Sequence, residues 1–302
     1  MCHVVPFGTV SVRKSVKPRS QMEDEMHNWT LGFVGAGVMA EVMIAGLLEE
    51  GILPPQRIVA SNRRAARSTE LVERYGIRCS QDNLSVAAQA DVLVLSVKPQ
   101  TLPKILPQLS GALQPSTMVL SIIAGASSAV LTRGLGHSRI ARCMPNLPCR
   151  IRKGMTVWYA PESSNPADLQ RIDTILGVMG QALRVTEETH VDRATAVNGT
   201  GPAIVAEFVK SMLDAATYIG EPRNVARETV LATLAGTVEM IRQSDAHVAQ
   251  LIDEVTSPGG TTSRALQVLK QGRFSAVITD SIDAAYQRTV ALGGALEEKV
   301  GE

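Results

Sequence analysis

Two glycine-rich segments hold the residue types from which chemistry can be read. The first is Gly35-Ala36-Gly37-Val38-Met39-Ala40, a G-x-G-x-x-A pattern. It follows the apolar run Thr30–Val34 and leads into Met39–Glu50, where Met43, Leu47 and Leu48 recur at helical spacing. The first glycine permits a turn that a Cβ would block, the second lets backbone approach a diphosphate, and the small third residue lets helix and strand pack closely. Free N–H groups and the dipole at the helix start favour negative charge there. Strand, turn and helix stand in the order that a dinucleotide site requires. The second segment is Ser257-Pro258-Gly259-Gly260-Thr261-Thr262, ahead of a helix expected to begin near Ser263. Its hydroxyls and backbone N–H groups suit a small carboxylate without a formal positive charge. A flexible N-capping loop is the plain alternative.

The residues after the second strand bear on the cofactor. An NAD site places an acid there to hold the ribose hydroxyls. No Asp or Glu occurs between Gly51 and Thr69, and the strand Arg57–Ser61 ends in Asn62-Arg63-Arg64. A guanidinium pairs well with a 2′-phosphate, so the expected cofactor is NADPH, with NADH second.

Other chemistries find little support. Cys2, Cys79, Cys143 and Cys149 form no Cys-x-x-Cys pair and have no His at ligand spacing, so free thiols in a reducing, cytoplasmic setting and no metal are expected. His137, His190 and His247 are scattered; only Asp245 and His247 fall near the second glycine segment. Ser121 and Ser257 lack a nucleophile elbow, against a hydrolase. The formal net charge of +1 and an aromatic content of 3% leave neither a global field nor stacking rings for nucleic acid. No run of about 18 apolar residues is present to span a membrane.

These segments need elements to position them. Ala65–Tyr75 reads as a helix closed by Gly76. Ile77–Cys79, Asp91–Ser96, Met118–Ile123, Ile140–Met144 and Thr156–Tyr159 read as further strands. Apolar strands alternating with helices imply a parallel sheet covered on both faces. After Pro166 the pattern turns helical, with Ala182–Val185 the remaining strand candidate. Ala203–Ile219, Arg223–Gln243, Val248–Val255, Thr262–Gln271 and Phe274–Lys299 have helical spacing. The expected organisation is an extension over residues 1–28, an α/β Rossmann-like domain over 29–186 and an all-helical domain over 187–302. The extension carries Arg13, Lys14, Lys17 and Arg19 with no acid before Glu23. It reads as a disordered extension or an upstream start ahead of Met22 or Met26, with a transit peptide the weaker alternative. Several late helices are apolar on more than one face, which predicts a helical dimer interface.

Val255 to Thr262, followed by Ala265-Leu266, resembles the signature of pyrroline-5-carboxylate reductases. Gly35 to Glu41, Ser96-Val97-Lys98-Pro99, Ser121-Ile122-Ile123-Ala124-Gly125, Met144-Pro145-Asn146 and Gly201-Pro202-Ala203 extend the resemblance over about residues 29–298. It implies NAD(P)H-dependent reduction of 1-pyrroline-5-carboxylate to proline, on a Rossmann domain plus a helical dimerisation domain. Its homodimers often assemble into decamers, and each active site is shared between subunits. By the same resemblance, Gly35, Ala36, Gly37, Val38, Met39, Ala40, Asn62, Arg63, Asn83, Val97, Lys98, Pro99, Ala124 and Gly125 line the cofactor. Ser257, Gly259, Gly260, Thr261 and Thr262 hold the substrate carboxylate, and Thr262 also meets the ring nitrogen. Val38, Leu147, Asn198, Thr200 and Ile204 depart from the family's usual Asn, Thr, Ser, Ser and aromatic residue. Two further readings stay open: a relative that reduces another cyclic imine, and a silent dinucleotide-binding protein.

Overall fold

The computed structural model describes residues 29–301; the 1–28 extension lies outside them. The described residues divide into two compact units. One takes the chain up to Ala194 together with Val290 onward, and the other is Thr195–Thr289.

The first unit is built on an eight-stranded sheet: β1 (Leu31–Val34), β2 (Ile58–Ser61), β3 (Arg78–Ser80), β4 (Val92–Leu95), β5 (Met118–Ser121), β6 (Ile140–Met144), β7 (Gly154–Tyr159) and β8 (Gly180–Val185). Its order is β3-β2-β1-β4-β5-β6-β7-β8. The helices in chain order are α1 (Val38–Glu49), α2 (Ala65–Tyr75), α3 (Asn83–Ala88), α4 (Leu102–Leu109), α5 (Ser128–Leu135), α6 (Pro166–Gly177) and α7 (Thr189–Ala194). Each central strand is buried throughout and mostly apolar because its alternating side chains feed two cores. Leu31, Phe33, Val92, Val94, Met118 and Leu120 pack on one face. Val34, Leu93, Leu95 and Val119 pack on the other.

The parallel sheet expected from the sequence holds from β3 across to β6. β7 then runs antiparallel to β6, and β8 follows β7 in parallel. The reversal has a simple cause. A parallel return needs a crossover of about a dozen residues, and the link from Met144 to Gly154 is shorter, holding only the 3₁₀ turn Leu147–Ile151.

The second unit opens with a π-helical turn, Thr195–Gly199, and continues with α8 (Gly201–Tyr218), α9 (Arg223–Gln243), α10 (Val248–Glu254) and α11 (Thr261–Gln271). The last helix, α12 (Phe274–Gly301), contributes residues to both units. Within the single chain α8 and α11 bury none of their residues. Val205, Phe208, Leu231, Val238, Val268 and Val277 are exposed, as expected of helices whose apolar faces need a partner subunit.

The observed division differs from a boundary at residues 186 and 187. Residues 187–194 go with the first unit because the buried Arg142 of β6 is ion-paired to Glu188 and Asp192 on either side of the α7 start, both at 2.7 Å. Residues beyond 290 join it because Leu296 enters the core beneath β4 and β5.

Candidate functional site

β1 and β4 lie side by side although β2 and β3 come between them in the chain. In a sheet of this kind the crevice beyond the strand C-termini at that switch point is where a dinucleotide binds. The turn after β1 sits there. Gly35 has φ +94°, and a Cβ on it would lie 2.8 Å from the Ser96 carbonyl oxygen beyond β4. Gly37 caps α1 with φ −80°, and a Cβ on it would meet nothing within 4 Å. The first glycine is therefore required by the fold, whereas the second leaves open space at an uncapped helix start. Ala36 and Ala40 are buried, Met39 is half-buried, and Val38 is 52% exposed.

The neighbouring expected residues gather at the same sheet edge. Asn62 follows β2, and its side-chain oxygen accepts a hydrogen bond from the Arg64 N–H at 2.9 Å. The side chains of Arg63 and Arg64 are exposed and unpaired among the described residues. Asn83 starts α3; its Oδ1 accepts from the buried Ser61 hydroxyl at 2.7 Å, and its Nδ2 donates to Gln108 at 3.3 Å. Val97 and Pro99 are half-buried beyond β4, with Lys98 exposed between them. Ala124 and Gly125 follow β5. Gly125 (φ +73°) also serves packing, since a Cβ there would lie 3.0 Å from the Gly293 nitrogen on α12. That close approach of two distant glycines left no mark in the local sequence.

Sequence reasoning did not single out Arg67. Its Nε donates to the Ala36 carbonyl at 3.1 Å, and its guanidinium pairs with Glu41 and, at 2.8 Å, Glu70. Glu41 also accepts from Arg74 and from the Tyr75 hydroxyl, each at 3.0 Å. Burial would raise the Glu41 carboxyl pKa, but the Arg67 and Tyr75 hydrogen bonds and the two arginine charges outweigh it and hold it below the ordinary value. The available signal was Arg67 in the first turn of α2, the helix that directly follows Asn62-Arg63-Arg64.

In the second unit Thr261 and Thr262 are the first two residues of α11, two positions ahead of the expected start near Ser263. Gly260 caps the helix without a side-chain bond. Gly259 has φ +70°, and the Gly260 N–H donates to the Ser257 carbonyl at 3.1 Å, closing a tight turn. A Cβ on Gly260 would overlap the Ser257 hydroxyl, so any larger residue there would force that hydroxyl to rotate away. Ser257 and Thr261 are exposed and Thr262 is half-buried. The first N–H groups of α11 and three nearby hydroxyls thus gather at one helix end. His247 caps α10 instead, its Nδ1 accepting from the Ala249 N–H at 3.2 Å. His137 bonds the Thr117 carbonyl. Among the described residues no group of acids, cysteines and histidines could hold a metal, and no helix is long and apolar enough to cross a membrane.

Two family models match the chain. One, described as pyrroline-5-carboxylate reductase dimerisation, covers residues 188–292. The other, described as NADP oxidoreductase coenzyme F420-dependent, covers residues 30–125. A pyrroline-5-carboxylate reductase of Synechocystis is 37% identical over 263 residues, spanning 87% of this chain and 98% of the relative. The chain belongs to the pyrroline-5-carboxylate reductase family. A second member, from Pseudomonas aeruginosa, is 35% identical over 87% of this chain and 96% of its own length. Among solved structures, the Plasmodium falciparum pyrroline carboxylate reductase with NADP bound superposes with a TM-score of 0.80 at 29% identity, covering 89% of this chain and 99% of that one. The Coxiella burnetii pyrroline-5-carboxylate reductase gives 0.77 at 30% identity, over 88% and 99%.

Proposed function

We propose that this protein reduces 1-pyrroline-5-carboxylate to L-proline with NADPH. The observation that carries the reading is the uncapped start of α11, where Thr261, Thr262 and Ser257 surround free N–H groups in a chain that aligns with reductases of that substrate over most of its length. Such an end suits the substrate carboxylate. NADPH, when bound, supplies the hydride. The open side of Gly37 and the first N–H groups of α1 would take its diphosphate, with Ala36, Val38, Met39 and Ala40 shaping the turn. Asn62 and the unpaired Arg63 would take its 2′-phosphate, with Asn83, Val97, Lys98, Pro99, Ala124 and Gly125 completing the lining. Gly259 and Gly260 keep the substrate turn tight, and Thr262 orients the ring nitrogen. A protonated imine already accepts hydride readily, so the residues' work is to orient the reactants and exclude water. The working form is a cytoplasmic homodimer or a larger assembly of dimers, supported by the exposed apolar helices and the match to a dimerisation model.

NADPH oxidation with pyrroline-5-carboxylate, and rescue of a proline auxotroph, test the reading. Turnover with neither NADPH nor NADH would defeat it. One observation favours a second reading, another cyclic imine as substrate. Val38 and Leu147 (58% exposed) are apolar side chains standing exposed beyond β1 and β6, and apolar contacts in place of hydrogen bonds change substrate choice. A panel of five- and six-membered cyclic imines separates the two. Asn198, Thr200 and Ile204 are half-buried around the π-helical turn, where the Thr200 hydroxyl donates to the Thr195 carbonyl at 3.3 Å.

A further inference from the structure

We infer that Arg67 is a positioning residue for dinucleotide binding, aiming the peptide N–H of the glycine turn at the cofactor's diphosphate rather than touching a phosphate itself. The inference rests on the reading of the Gly35–Ala40 turn as a cofactor site.

The argument starts from the peptide unit. In a trans peptide the carbonyl and the following N–H point to opposite sides, and the Ala36–Gly37 bond is trans. The Ala36 carbonyl accepts two side-chain donors, Arg67 Nε at 3.1 Å and Asn62 Nδ2 at 3.4 Å. Held toward α2, that carbonyl turns the Gly37 N–H the other way. The Gly37 N–H has no acceptor among the described residues, and the space beside Gly37 is open. The preceding carbonyl is fixed similarly, since the Gly35 oxygen accepts from the Ser96 hydroxyl. Successive N–H groups directed outward are what an anion-binding turn needs.

Charge separates this role from that of the neighbouring arginines. Arg67 is only 15% exposed and is neutralised by Glu41 and Glu70. Glu41 is shared with Arg74 and Tyr75, so the guanidinium is locked in its orientation. A compensated, fixed cation contributes little attraction to a 2′-phosphate but orients a backbone carbonyl well. Arg63 and Arg64, exposed and unpaired among the described residues, are placed to do the reverse. Loss of Arg67 should therefore weaken NADPH and NADH alike, because the diphosphate is common to both. Loss of Arg63 should weaken NADPH alone.

The test is calorimetric titration of the full-length protein with NADPH and with NADH. Wild type, Arg67→Met, Arg67→Lys and Arg63→Ala are compared, with folding checked by circular dichroism and initial rates measured alongside. The expected result for Arg67→Met is a rise in Kd of about tenfold for both cofactors, the scale of one charge-assisted hydrogen bond. KM for NADPH should rise while kcat at saturation stays within about twofold. If Arg67→Met does not fold, Arg67→Lys decides. It keeps the charge but cannot span Ala36, Glu41 and Glu70 together, and should weaken both cofactors by about threefold or more. A loss confined to NADPH would overturn the inference in favour of direct phosphate contact. Unchanged Kd values with a lowered melting temperature would overturn it in favour of a purely structural ion pair. Wild-type protein that bound neither cofactor would overturn the cofactor reading and this inference with it.

Discussion

Gly37→Ala isolates ligand approach from folding. The backbone at Gly37 has φ −80° and ψ −166°, values open to alanine. The added Cβ would meet no atom within 4 Å. Replacing glycine at a helix N-cap costs up to about 1 kcal/mol, and restricting the unfolded chain returns about 0.4–1 kcal/mol, so the melting temperature without cofactor should hardly move. Binding is different. The methyl group occupies the side from which the diphosphate would approach the turn. Pushing a methyl into a packed contact costs about 1–3 kcal/mol, which raises Kd for NADPH by roughly 5- to 150-fold. Gly35→Ala is the control. Its φ of +94° and the 2.8 Å approach to the Ser96 carbonyl put the damage into the fold, at about 2–4 kcal/mol for the positive φ and the overlap together. Fluorescence titration with NADPH and thermal unfolding of the free protein read the two effects separately. An unchanged Kd in a folded Gly37→Ala protein would refute the assignment of this turn to the diphosphate.

Three further outcomes are expected. Thr262→Ala should lower kcat/KM for the imine by roughly tenfold, the scale of one hydrogen bond to a charged partner; an unchanged value removes Thr262 from the site. Arg142 is 2% exposed between Glu188 and Asp192, each about a quarter exposed. Arg142→Met should destabilise by about 3 kcal/mol, the low end for a broken buried pair because both carboxylates can rehydrate; a melting temperature within about 2 °C of wild type would contradict this. Glu41 should make stability pH-dependent. Its folded pKa is lowered from 4.5, so its contribution is complete above that value and is lost as pH falls through the folded pKa. The stability gap between wild type and Glu41→Gln, followed by urea unfolding, should therefore be full at neutral pH and close in acid; a gap that widened in acid would reverse the sign.

Much of the candidate site's framework was legible because its requirements are local. A positive φ, a close backbone approach and a helix start demand particular residues at fixed spacing. The β1 turn, α2 over Ala65–Tyr75 and β6 over Ile140–Met144 were therefore readable in place. The reversal of β7 was available too, in the shortness of the link after Met144. Helices α3 to α7 were not delimited, and α3 and α5 show why. Their caps, Asp82 and Ser127, were visible in sequence, but too few residues follow for a periodic signal to build.

By itself, then, the sequence determined the series of eight strands, the helices after β1 and β2 and those of the second unit, the glycine turn, the missing acid after β2 and the family. These rest on backbone sterics and apolar periodicity, which act between near neighbours. Only the tertiary structure decided which distant groups meet. It brought Arg67 onto the Ala36 carbonyl, set Arg142 between two acids of a later segment, and pressed Gly125 against Gly293. Long side chains and close helix crossings select partners by position in the assembled fold, and position is fixed only when the sheet and its covering helices pack together.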